Sequence, residues 1–247
     1  MWQPRRWLLA ASACLLATTL APSARAEGKI TVVYAGSMGV AMDRAIAPAF
    51  TAQTGTQVQG HGQAAMALAH LLAAKSLTAD VFVSVSAAPI KVVEAAGLTP
   101  GAIPVASTSM VLAYSPKSQF AAKFAGAKEG DWTKLLATPG LRFGRTDPQT
   151  DPQGQYVLYA LQLAGDYYNL PGFDRQIAGV PQNPAQIFAE PSLLARLGAG
   201  QIDATLGYKS AVLSQHLPFL SLPPEINMST PSFATTWYSK ASLTLKG

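Results

Sequence analysis

Two acidic residues each stand directly before a proline: Asp151 in Thr150-Asp151-Pro152 and Glu190 in Ala189-Glu190-Pro191. Proline suits the first position of a helix and an acidic side chain suits the residue before it, so both carboxylates fit helix caps. Ala35-Gly36-Ser37 and Gly62-Gln63-Ala64-Ala65 look like strand-to-helix turns. Four helix N-termini can therefore point toward one place, and helix N-termini attract anions. Two carboxylates in such a place are a contradiction, because a carboxylate and an anion repel unless a positive centre lies between them.

The elements that must carry these residues follow from periodicity. Lys29 to Tyr34 is a β-branched run, followed by Ala-Gly-Ser and by apolar positions at helical spacing from Met38 to Phe50. A strand around Val58, a helix from Ala64 to Ala74, a strand from Ala79 to Ser84 and a helix from Pro89 to Ala96 come next. Alternating strands and helices predict a parallel, doubly wound sheet that binds ligands beyond the carboxyl ends of its strands, where Ser37 and Ala65 lie. Ser109 to Tyr114 leads into a second series. It comprises helix Trp132 to Ala137, strand Leu141 to Gly144, helix Pro152 to Tyr168, helix Pro191 to Leu197 and strand Ala204 to Tyr208. Phe219 to Leu222 and Ser242 to Leu245 read as late strands, and Pro171 to Pro184 as a surface connection.

The first 26 residues join Arg5 and Arg6 to an apolar run and end in Ala24-Arg25-Ala26, the pattern of a cleavable secretory signal peptide. The only cysteine, Cys14, lies inside it, so the mature chain is expected to have neither a disulfide nor a cysteine metal site. Loss of three arginines lowers the net charge from +5 to +2, with 15 basic against 13 acidic residues. That balance, without a basic face, argues against nucleic-acid binding. The expectation is an exported soluble protein whose 221 remaining residues form one large domain or two lobes.

The segments KITVVYAGSMGVAMDRAIAPAF, ADVFVSVS, TDPQTDPQGQYVLYALQLAGDYY, GQIDATLGYKSAVLSQH and LPPEINMS resemble, in order, the periplasmic molybdate/tungstate-binding proteins of ABC transporters, above all the archaeal-type branch. The resemblance covers residues 29 to 245. It implies an α/β, type II periplasmic binding protein fold of two doubly wound lobes with a hinge. Residues 27–110 plus 212–247 would form lobe I, residues 111–211 lobe II, with hinge strands near Ser109 to Tyr114 and Tyr208 to Leu213. It implies a monomer without a cofactor that delivers tungstate or molybdate to the membrane subunits of an importer. Ser37 matches the family's first serine, Asp151 and Glu190 its two carboxylates, and Tyr208 a tyrosine donor from the other lobe. Glu190 is placed by its 18-residue spacing from Tyr208, with Glu225 as the fallback. Two departures stand out: Ala65 falls where the family has its second serine, leaving only a backbone N–H to serve, and Gln153 stands where archaeal members often have cysteine.

Molybdenum and tungsten in the +6 state can expand from four to six oxygen neighbours, whereas sulfur cannot. Asp151 and Glu190 can then be oxygen ligands to the metal of the bound oxyanion, while sulfate meets only repulsion. The plainer readings stay open: Asp151, Glu190 and Ser37 as caps, Tyr208 as a core tyrosine. Tyr167-Tyr168, the adjacent-tyrosine feature of ferric-ion binders, reads as packing at a helix end. His61, His70 and His216 lack metal-ligand spacing. No G-x-S-x-G or H-E-x-x-H is present, so a binding protein is preferred to an exported hydrolase, with another small anion as the alternative ligand.

Overall fold

The computed structural model describes residues 28–245; the signal peptide read over residues 1–26, with Cys14, lies outside them. Two three-stranded sheets organise the described chain. The first is parallel in the order β2-β1-β3, formed by β1 (Lys29–Ala35), β2 (Gln57–Gln63) and β3 (Val81–Val83). Parallel neighbours need crossovers. Here they are a 3-10 turn (Gly36–Met38), α1 (Gly39–Ala41), a π turn (Met42–Ile46) and α2 (Ala47–Thr54) after β1, then α3 (Ala65–Ala73) after β2. α4 (Ala87–Ala95) follows β3. Pro48 has no N–H to donate within this helical run, and the helix widens to π just before it. Alternate residues of β1 face opposite sides of the sheet: Val33 packs with Leu68, Ala69, Leu72 and Val93, whereas Val32 and Tyr34 pack with Met42.

The second sheet is antiparallel, with β4 (Met110–Tyr114) between β5 (Ala204–Tyr208) and β6 (Phe219–Ser221). Every residue of β4 and β5 is buried. Around this sheet lie α5 (Ala121–Ala125), α6 (Asp131–Leu136), α7 (Pro152–Tyr167), α8 (Phe173–Ala178), α9 (Glu190–Ala199), α10 (Lys209–Ser214) and α11 (Pro224–Asn227). Val157, Leu158, Leu161 and Ala164, at helical spacing on α7, join Leu112, Tyr114, Leu206 and Tyr208 in the larger core. The two segments expected as crossovers run side by side: Met110 pairs with Tyr208, and Lys209 N–H donates to Ser109 O at 2.8 Å.

Several expectations are corrected. The strand from Leu141 to Gly144 is reduced to isolated parallel bridges, Phe143 to Ala204 and Arg145 to Ile187. Gly144 offers no side chain to pack there, which weakens a strand. Ser242 to Leu245 is not a strand. Instead Gln162 donates to Ser242 O and accepts from its N–H, at 3.0 and 2.9 Å, satisfying the groups a neighbouring strand would. The connection from Pro171 to Pro184 contains α8, whose Phe173 and Ile177 are buried. Their i, i+4 pairing was hidden by the Pro and Gly residues around them. Residues after 211 make much of their core contact with the second sheet: β6 pairs with β4, Leu222 and Ile226 join its larger core, and Val212 and Leu217 its smaller one.

Candidate functional site

Glu190 opens α9, but the residue capping that helix is Ala189, and Glu190 does not bond back to its own first turn. Its side chain, 7% exposed, crosses to the turn after β1. Oε2 accepts from Gly36 N–H and Oε1 from Ser37 N–H, both at 2.9 Å. A carboxylate thus occupies the anion-attracting start of the helical run that follows β1. The capping reading is therefore right in kind and wrong in place: Glu190 caps another element.

Asp151 does cap its own helix. Its backbone is extended, and Oδ1 accepts from Gln153 N–H at 2.8 Å. The residue is 1% exposed, and Oδ2 is buried without completing a hydrogen bond. One oxygen is a cap and the other is free, so capping and ligation are compatible at this residue. Burial, then the nearby Glu190 carboxylate, push Asp151 up to about 8, against the pull of Gln153 N–H and the Thr146 hydroxyl. Glu190 is also pushed up, by burial, against the pull of Ser37 and Gly36. Two buried carboxylates that repel one another tend to hold a proton between them.

Three further hydroxyls close on this pair. Tyr208, at the end of β5, is 4% exposed and packs edge-on against the Tyr156 ring at 6.2 Å. Burial raises its pKa, followed by the charge of Asp151. Tyr208 Oη, Ser37 Oγ and Thr146 Oγ1 are buried and complete no hydrogen bond. Ala65 begins α3 and is fully buried, a methyl with no side-chain donor. Glu225 stands apart: it influences Tyr167 and Tyr168, at the opposite end of the 16-residue α7 from Asp151. That length is about 24 Å, so the fold brings Glu190 to Asp151 and leaves the fallback carboxylate remote. Tyr167 and Tyr168 stack edge to face at 4.8 Å, as packing residues do. His61, His70 and His216 are exposed.

Among the described residues no cation pairs with these carboxylates. The one ion pair among the described residues, Arg142 with Asp203 at 2.8 Å, involves neither of them. Arg145, fully buried, donates to Val180 O and Gln186 Oε1 instead. Among the described residues no group of three or more His, Cys, Asp and Glu could hold a bare metal ion. A cavity of about 20 Å³ beside Gly36, Ser37, Gln153, Glu190 and Ala211 has room for little more than a water.

Gly154 was missed by sequence reasoning, although it sits three residues after Asp151. A Cβ there would lie 2.5 Å from Thr146 O and 2.7 Å from Pro148 N. Backbone cannot yield as a side-chain tip does, so the loop from Thr146 to Pro148 packs on α7 only because this residue is glycine. Gly154→Ala is expected to destabilise the protein by about 2 kcal/mol or more, read as a lowered midpoint in thermal unfolding. An unchanged midpoint would show the loop to be freely adjustable.

A family model described as bacterial extracellular solute-binding protein matches residues 30–243. The chain belongs to this family. A Haloferax volcanii protein named for an ABC transporter and molybdenum binding is 29% identical to this solute-binding protein, over 98% of the chain and 76% of the relative. Two solved structures share its fold at a TM-score of 0.56. One is a sulfate-binding protein of Mycobacterium tuberculosis, 16% identical, covering 86% of this chain and 81% of that one. The other is a periplasmic molybdate-binding protein of Azotobacter vinelandii, 17% identical, covering 85% and 91%. The type II periplasmic binding fold is common to both, although the two are named for different anions.

Proposed function

We propose that this solute-binding protein captures molybdate or tungstate in a cleft between its two sheets and delivers it to the membrane subunits of an ABC importer. One observation carries the choice of anion: two buried carboxylates, Asp151 and Glu190, without a cation partner and with Asp151 Oδ2 free. Burying such groups unpaired is costly. A central atom that accepts extra oxygen ligands, as hexavalent molybdenum and tungsten do, would offset the cost by coordination, in keeping with hard oxygen donors for hard cations. Ser37 and Tyr208 would donate to the oxyanion's own oxygens. Gly36 and Ser37 N–H would be released to the anion as Glu190 turns toward the metal. Ala65 would contribute at most its backbone N–H.

Opening and closing would occur about the paired segments near Ser109 and Tyr208, a hinge movement between a unit built on the first sheet and one built on the second. The contacts made after residue 211 favour assigning much of that segment to the second unit. Export by a cleavable leader, a periplasmic location and a monomeric state belong to the same reading, which needs no resident cofactor and no catalytic step. The relative named for molybdenum binding supports it, as does the ordered resemblance across residues 29 to 245. Titration calorimetry of oxyanion-free protein should show binding of tungstate or molybdate at micromolar concentration or below. Absence of heat for both, with the protein folded, would overturn the assignment.

A further inference from the structure

Thr146 is the one hydroxyl at the site that the preceding reading does not use. It is 1% exposed, and its Oγ1 completes no hydrogen bond. Its position is nevertheless tightly determined. Arg145, just before it, bonds through its backbone to Gln186 O at 2.8 Å and accepts from Phe188 N–H at 3.0 Å. Just after it, Asp147 O accepts from Asp151 N–H at 2.9 Å, and Asp147 Oδ1 accepts from Gln149 N–H at 2.9 Å. Gly154 lets the Thr146 carbonyl approach α7 more closely than any side chain there would permit.

A hydroxyl buried without a partner is less favourable than the methyl that would replace it in valine, a group of the same shape. This one lies within reach of the Asp151 carboxylate and pulls on it as a hydrogen-bond donor does, without completing a bond of good geometry. It shares with Ser37 Oγ, Asp151 Oδ2 and Tyr208 Oη the condition of a buried polar atom awaiting a partner. A threonine hydroxyl can donate one hydrogen bond, and an oxyanion offers oxygens that only accept.

We infer that Thr146 is a further ligand-binding residue, its hydroxyl donating to an oxygen of the bound tetrahedral oxyanion beside Asp151. The inference rests on the oxyanion reading and adds to it a donor from the loop before α7. A hydrogen bond to a charged acceptor, lost on substitution, corresponds to about tenfold or more in affinity.

The test compares wild-type protein, Thr146→Val and Thr146→Ser by tungstate calorimetry and by thermal unfolding without ligand. The valine variant should bind tungstate about tenfold or more weakly while unfolding at the wild-type temperature or above, because it buries no unbonded hydroxyl. The serine variant should recover most of the affinity. Wild-type affinity in the valine variant overturns the inference. So does a valine variant that loses stability together with affinity, or fails to fold, since the hydroxyl would then support the loop. Failure of the wild-type protein itself to bind tungstate or molybdate overturns the oxyanion reading and this donor with it, an outcome distinct from the other two.

Discussion

Asp151→Asn should lower the affinity for tungstate by about 100-fold, the upper end of the loss of an interaction with a charged group, without lowering stability at neutral pH. Asparagine caps a helix about as well as aspartate, so the bond from Gln153 N–H to Oδ1 has a replacement in the amide oxygen. The substitution also removes one member of a repulsive buried pair. What it takes away is the carboxyl oxygen Oδ2, which completes no hydrogen bond in the structure and is the group proposed to enter the coordination sphere once its proton is released. Sulfate, whose central atom accepts no such ligand, loses a repulsion instead, so the ratio of tungstate to sulfate affinity should fall more steeply than tungstate affinity alone. Calorimetry with each anion on both proteins measures that ratio. If it does not change, Asp151 is a cap and nothing more.

The ligand-free protein should become less stable as the pH rises from about 5 to about 8. Asp151 has its pKa raised from 3.8 to about 8, and Glu190 is raised as well. Between the unfolded and folded values the native state keeps a proton that the unfolded chain has released. Stability then falls with rising pH, by up to about 1.4 kcal/mol per unit for one proton. The contribution is complete at or below the unfolded pKa and is lost once the pH passes the folded value. Most exposed carboxylates would give no such slope, and paired ones the opposite slope at lower pH. Thermal unfolding across this interval, with Asp151→Asn as the comparison, reads the effect directly. The variant should show a flatter profile. A wild-type midpoint that rises from pH 5 to 8 would mean that the pair carries no proton.

Local chemistry was enough to place most of the elements that carry the site. The strand from Ala204 to Tyr208 has the bounds expected of its alternating small and apolar residues, and α7 starts where Asp151-Pro152 says it should. α9 begins at Glu190, directly before the proline that announces it. These signals are short-range: a cap, a proline's fixed backbone angle and helical or strand periodicity act over a few residues and survive in any tertiary context. The resemblance across residues 29 to 245 supplied Ser37, Asp151, Glu190 and Tyr208 as a candidate set, and membership of a solute-binding family agrees with the class of protein the resemblance implies.

Whatever depends on contacts between distant residues was decided only by the fold. The antiparallel order β5-β4-β6, the docking of residues after 211 on that sheet and the burial of Phe173 and Ile177 all follow from long-range packing. The same holds inside the site. Nothing near Glu190 in sequence reveals that its two oxygens lie on Gly36 and Ser37, 154 and 153 residues away. Nothing near Glu225 reveals that it faces the far end of α7. Thr146 carries no local signature, because a hydroxyl becomes informative only when burial strips it of water and leaves it without a partner. Sequence determines which groups exist and where helices and strands begin. Tertiary structure determines which groups are desolvated together, and it is shared desolvation that makes two helix-start carboxylates the proposed site.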